Sequence, residues 1–453
     1  MSHPGRSSLD RVRQTGRSAT KHHKVGEVSR IPHPEVDVER QLPPWMLTRE
    51  GERPRLRTAG ILLTCLTALA ATSLVAGPAI AHGDAGPCAL RRTPAHHSEG
   101  LDTWNGAYPR PSRALDAVMV FLSFPDSPPL TTPRELAADY FPATSDFFDQ
   151  ASYGRFRLRA HPQHEWVEMP EDSTMYAIER DWDPQHRASY LRDAVAAADP
   201  RVDFSAYDIV YFVADPDAPG VNSDATKVVN FDRPMRADGT SIRRIVTVFE
   251  RHPPDRNVLA HETGHVFDLP DLYHRPTDGD GDWDTHVGDW DVMGSQFGLA
   301  PELFGWHKWK LGWLGPRQVV CVDGGPRRLT LDPLAAQPVR GGVGATKLAV
   351  IRTGRGSAVA VEARGAVGND RGTCSEGVLA YHVRNETASG RGPVEVIDAH
   401  PGSEACDTES VYPPLADAPV RVGEAFTVPG ERIRIEVEDR TPSGAWTVKI
   451  SPT

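Results

Sequence analysis

His261-Glu-Thr-Gly-His-Val-Phe-Asp-Leu-Pro-Asp271 is the stretch from which the rest of this 453-residue chain is read. Apolar positions at Val258, Leu259, Val266 and Phe267 predict a helix over 258–267, with Asp255 as its cap. Residues four apart share one face of a helix, so His261 and His265 aim two imidazoles at one point. Such a pair suits zinc, which takes neutral histidine nitrogens at about 2.0–2.1 Å and keeps one position open for water when it is catalytic. Glu262, one step round the helix, can accept a proton from that water.

With 18 histidines in the chain, His-Glu-x-x-His is only suggestive by itself. Its surroundings add weight. Pro270 ends the helix and Asp271 returns a carboxylate where metzincin peptidases carry their third ligand. Met293, in Val287-Gly-Asp-Trp-Asp-Val-Met-Gly294, stands at a spacing that fits a methionine turn beneath the metal. Two residues compete with Asp271. Asp268 lies on the same turn, and Glu302 opens the Trp-rich stretch 302–313, where a thermolysin-type site would draw a glutamate from a later helix. Trp306, Trp309 and Trp313 recur at three and four and read as helix packing. His274, His286 and His307 read as surface or packing histidines.

The run His261-Glu-Thr-Gly-His-Val-Phe-Asp-Leu-Pro-Asp-Leu-Tyr273, then Gly288-Asp-Trp-Asp-Val-Met293, then Pro301 and Gly305-Trp-His-Lys-Trp-Lys-Leu-Gly-Trp-Leu314, resembles the immune inhibitor A-type family of secreted bacterial zinc metallopeptidases. Phe121-Leu-Ser-Phe-Pro-Asp126, Phe147-Phe-Asp-Gln-Ala-Ser-Tyr-Gly-Arg-Phe156 and Asp203-Phe-Ser-Ala-Tyr-Asp208 fit it upstream. Val361-Glu-Ala-Arg364 and Gly377-Val-Leu-Ala-Tyr-His-Val383 fit it downstream, so the resemblance spans roughly residues 115 to 400. It implies an α+β fold with a zincin or metzincin-like catalytic domain, a twisted mixed sheet feeding an active-site helix. It also implies His261, His265 and Asp271 as zinc ligands, Glu262 as general base and Met293 as the floor. One departure is Asp268, where the family mostly has glycine; aspartate tolerates the left-handed turn better than most residues. No tyrosine follows Met293 at the short spacing some metzincins use, so the oxyanion-stabilising residue is unassigned.

Residues 1–57 are polar, without sustained periodicity, and read as a disordered extension whose true start is Met46. Arginines at 49, 53, 55 and 57 precede an uncharged run, 58–81, that ends Ala79-Ile-Ala81. That is the layout of a secretion signal, with a retained membrane anchor as the alternative. Removing 1–81 takes away 12 basic and 7 acidic residues of the chain's 50 and 61, leaving 38 and 54, a formal net charge of −16. Such an acidic chain is a poor partner for nucleic acid or an anionic membrane. Cys88, Cys321, Cys374 and Cys406 remain, an even number that predicts two disulfides of unspecified pairing. A Cys88 thiolate capping the zinc in a latent precursor is the competing idea, and it leaves one thiol over.

Residues 82–114 read as a linker or short pro-segment, 115–316 as the catalytic domain and 317–453 as a β-rich domain resembling a sandwich. By analogy with the family the motifs resemble, Thr226 to Phe231 is the expected edge strand, where an extended peptide of almost any sequence can pair through its backbone. Asp278, Asp280, Asp282 and Asp284, alternating with Gly and Trp, form a possible calcium loop. The composite expectation is a secreted zinc endopeptidase acting on protein or peptide substrates, with Zn2+ and possible Ca2+. The alternative is a secreted zinc-containing binding or adhesion protein without hydrolysis, which would have no need of Glu262.

Overall fold

Consecutive apolar residues at strand length call for burial on both faces, which parallel pairing with helices on either side provides. In the computed structural model, which describes residues 86–276, 281–338 and 345–453 except the side chain of Asp232, strands β1 (Ala114–Ser123) and β3 (Ile209–Ala214) are of this kind. They lie in the middle of a five-stranded sheet with β2 (Arg157–Glu168), β4 (Lys227–Ala237) and β5 (Thr240–Val248), in the order β2-β1-β3-β5-β4. Every pairing is parallel except that of β4, which runs antiparallel to β5 along one edge. The expected extension 1–57, the start at Met46 and the signal segment 58–81 lie outside the described residues.

Helices α1 (Pro133–Tyr140), α2 (Ala143–Ala151) and α3 (Pro184–Ala198) cover the sheet. Thr132 and Glu135 close a reciprocal capping box on α1, and the Asp183 carboxylate accepts from Gln185 N and His186 N at the start of α3. Ala117, Met119 and Phe121 of β1 pack with Phe147 and Phe148 of α2, while Val118, Val120 and Leu122 pack with Tyr190 and Leu191 of α3. That alternation is the period-2 signature of a strand buried twice.

Helix α4 (Val258–Val266) enters beneath the sheet with all nine residues buried. Its cap differs from expectation. Asn257 precedes it in the left-handed region, φ 61°, without a side-chain cap. Asp255 offers its backbone carbonyl to Val258 N at 3.4 Å and its carboxylate to Gln296 Nε2 at 3.2 Å. Packing on every side, rather than capping, holds this helix.

After α5 (Gly305–Lys310) come two more sheets. β6 (Val319–Cys321), β8 (Leu348–Arg352), β9 (Ser357–Arg364), β10 (Gly377–Arg384) and β11 (Val394–Ile397) form one, in the order β11-β10-β9-β8-β6. β7 (Arg327–Leu331), β12 (Ala425–Thr427), β13 (Ile433–Arg440) and β14 (Trp446–Pro452) form the other, in the order β12-β13-β14-β7. Val359, Val361 and Ala380 face Ile435, Val437 and Val448 across a shared core, which makes a sandwich. The opposite face of the first of these sheets, through Leu348, Val350, Leu379 and Tyr381, continues into the core around α4. The architecture is α+β, and apolar packing runs unbroken across residue 316.

Residues 86–113, expected as a linker or pro-segment, contain neither helix nor strand yet are threaded into that core. Cys88 is bonded to Cys321 of β6, which excludes it from capping a metal, and Cys374 is bonded to Cys406. Trp306 Nε1 donates to Glu99 O at 3.1 Å and Trp313 Nε1 to Pro111 O at 2.7 Å. The Glu99 carboxylate, fully buried, meets His307 Nε2 at 2.8 Å, and His307 Nδ1 meets Asp291 at 3.1 Å. Burial of such charges is tolerated because each is paired.

Candidate metal centre

One turn of α4 separates His261 from His265, and each ring is oriented from behind. His261 Nδ1 donates to Val292 O and His265 Nδ1 to Leu269 O, both at 2.8 Å. A neutral ring protonated on Nδ1 presents the lone pair of Nε2, so both Nε2 atoms face the cleft as available donors. Asp271 Oδ1 lies 3.4 Å from His261 Nε2 and 2.9 Å from His265 Nε2, and one donor atom from each residue falls within 4.8 Å of the others. The remaining oxygen is tethered. Ser389 Oγ donates to Asp271 Oδ2 at 2.9 Å and accepts from Asp271 N at 2.8 Å.

This donor set fits a divalent metal that takes imidazole nitrogen and carboxylate oxygen. Its electrostatics agree. Burial opposes charge on Asp271, yet the two imidazoles outweigh it and hold that carboxyl well below its usual range. Burial also opposes charge on His265, but Asp271 and Glu262 overcome it and raise the imidazole to about 9. The pocket attracts positive charge to the point where a metal would sit. Glu262 is 7% exposed and its Oε2 has no hydrogen-bond partner, a costly state for a buried carboxylate unless a ligand supplies one.

Met293 is wholly buried under α4, and Leu272 N donates to its carbonyl at 2.9 Å. A Cβ on Gly264 would lie 2.3 Å from Met293 Sδ, so the methionine occupies space that only glycine leaves open.

Neither rival third ligand joins the cluster. Asp268 adopts the left-handed turn, φ 65°, and directs its carboxylate away, to His97 Nδ1 at 2.9 Å and Arg92 Nη1 at 2.7 Å. Burial works against that charge, but His97, Lys310 and Arg92 hold the carboxyl at about 2. Glu302, wholly buried, pairs with Lys308 Nζ at 3.2 Å. Of the possible calcium loop, Asp278 and Asp280 lie outside the described residues. Asp282 Oδ1 accepts from Asp284 N at 2.9 Å, and Asp284 lines the metal cleft. Among the described residues a second group with ligand-like spacing is Asp398, His400 and Asp417. Its imidazole is already engaged at both nitrogens, with Asp417 O at 2.6 Å and Glu424 Oε2 at 2.9 Å.

The cleft above the three donors holds about 550 Å3 and is flanked by Thr226 and by β4 through Lys227, Val228 and Asn230. His96, His97, Tyr273 and Ser389 belong to its surroundings and were given no role in the sequence reading. Tyr273 stacks on His261 at 6.2 Å, and His97 stacks on His265 at 5.7 Å. Tyr273 stood two places after Asp271 and could have been noticed. The others come from remote segments and carry no local signal.

No protein-family model and no curated protein matches the chain. Among solved structures, wild-type OgpA from Akkermansia muciniphila aligns in its P 21 21 21 crystal form with TM-score 0.25 and 9% identity, over 65% of this chain and 95% of that one. In its P 41 21 2 form the values are TM-score 0.26 and 10% identity, over 77% and 95%. Likeness at that level carries no argument about fold or activity. Among the described residues no helix is long and apolar enough to cross a membrane.

Proposed function

We propose that the chain is a secreted zinc-dependent endopeptidase that hydrolyses peptide bonds in extracellular proteins. The observation that carries this reading is the meeting of His261, His265 and Asp271 within 4.8 Å, beside the unpartnered carboxylate oxygen of Glu262. On this reading the first sheet, α4 and the Met293 turn form a zincin-like unit of metzincin type, related to the immune inhibitor A-type peptidases that the motifs resemble. Two disulfides and the 58–81 stretch of the sequence support export.

Zinc bound by the three donors would polarise a peptide carbonyl and acidify water. The chain's own residues do the rest. Outer strand β4 offers free backbone groups to an extended substrate. Glu262 takes the proton of the attacking water on Oε2 and returns it to the departing amine nitrogen. Met293 fills the floor, and Val292 O and Leu269 O keep both imidazoles in one tautomer.

The test is metal analysis of purified 82–453 together with a casein digest with and without chelator. About one zinc per chain and chelator-sensitive cleavage are expected. Glu262→Gln should keep the zinc and lose cleavage by at least about a hundredfold. Undiminished turnover in that variant removes the mechanism, and retained zinc without cleavage in the parent chain favours a binding protein.

A further inference from the structure

The metal cleft extends past Glu262 toward the first turn of α4, where Val258 lies one turn before Glu262 on the same helix face. Its far wall is the segment after Met293, and that wall is clamped. Arg256 Nη2 donates to Phe297 O and, at 2.9 Å, to Gly298 O, while Asn257 Nδ2 donates to Gln296 O at 3.2 Å. Gln296 Nε2 closes the other side on the Asp255 carboxylate. A held pocket therefore adjoins the position of the bond to be cut.

At the base of this pocket lies Glu250, 8% exposed. Among the described residues no lysine, arginine or histidine forms an ion pair with it; the Thr226 hydroxyl and the Asp255 backbone N–H face it, with the Asp255 and Glu262 carboxylates beyond. Burial, with those two charges, pushes Glu250 up to about 7. The cleft's own cations are engaged elsewhere: Arg275 with Asp181, Arg180 with Asp224 at 3.4 Å, and Lys227 Nζ with Arg180 O. A nearly buried carboxylate without a counter-charge gains most from an incoming cation, because its hydration is already lost.

We propose that Glu250 forms the base of a subsite for a cationic side chain, lysine or arginine, next to the peptide bond that is cut. This inference rests on the peptidase reading for its substrate, but the pocket's preference for cations is testable apart from it.

The experiment uses peptides that carry arginine or its neutral isostere citrulline at each position around the cleaved bond in turn. The readout is the ratio of kcat/KM for the two. In the parent chain that ratio should be about tenfold or more at one position. Glu250→Gln should bring it toward one, and Glu250→Asp should retain a clear preference. A ratio near one in the parent, or a preference that survives Glu250→Gln, overturns the proposal. Calorimetric titration with agmatine supplies a readout without catalysis: weaker binding in Glu250→Gln supports the subsite, and equal binding overturns it. If no peptide is cut at all, the peptidase reading fails and the agmatine comparison alone decides the subsite.

Discussion

Ser389 lies 118 residues from Asp271 in sequence, yet it holds that residue at two points, as donor to the carboxylate Oδ2 at 2.9 Å and as acceptor from the backbone N–H at 2.8 Å. Replacing it by alanine frees the carboxylate to rotate and leaves Oδ1 without a fixed aim at the two imidazoles. A hydrogen bond to a charged group contributes roughly 1.5–3 kcal/mol, and the half-buried position of Ser389 favours the lower part of that range. At about 1.4 kcal/mol per factor of ten, Ser389→Ala should weaken zinc binding by about ten- to thirtyfold, within the span usual for groups that orient metal ligands. The assay is zinc titration against a chromophoric chelator, with zinc-free thermal unfolding alongside to show that the fold survives. A zinc affinity within about twofold of the parent, with the fold intact, would refute the assignment of Asp271 as a ligand held by Ser389.

Three further outcomes follow from the packing and charges around the centre. Gly264→Ala places a methyl 2.3 Å from Met293 Sδ, so overpacking should cost about 1–3 kcal/mol in urea unfolding and weaken zinc as well. His307 is raised to about 9 from 6.5, because Glu99 and Asp291 outweigh the burial that opposes its charge. Folded His307 binds its proton more tightly than the unfolded chain, so this contribution, on the order of 3 kcal/mol, is complete below pH 6.5 and lost as pH rises through about 9. Urea midpoints measured at pH 6 and pH 9.5 should differ less in His307→Gln than in the parent. Breaking Cys88–Cys321, which links residues 233 apart, by Cys88→Ser with Cys321→Ser returns loop entropy to the unfolded chain and should cost about 5–6 kcal/mol of stability. Thermal unfolding should fall accordingly, and unchanged unfolding would mean that 86–113 is held by packing alone.

Local signals served well where chemistry and period coincide. Asp183-Pro184 is a local helix-start signal, and α3 spans Pro184–Ala198. An unbroken apolar run is the local signature of a strand buried on both faces, and β3 (Ile209–Ala214) follows one. Asp255 misled because capping propensity is a weak preference: packing around a wholly buried helix set the entry through Asn257 instead. Residues 86–113 misled for a related reason. Irregular backbone with Pro, Gly and His reads as a connector, whereas its burial depends on tryptophans some two hundred residues away.

Two imidazoles four apart, a carboxylate after a proline stop and a glutamate beside the first histidine are properties of consecutive residues, so the sequence by itself determined which side chains one helix and its exit bring together. Tertiary structure decided what surrounds them. Asp268 turns to Arg92 and His97 rather than toward His261 and His265, Ser389 takes one oxygen of Asp271, and Glu250 is left in the cleft without a cation among the described residues. These choices belong to contacts between segments far apart in the chain, where burial and charge pairing compete, and no periodicity or local spacing carries that information.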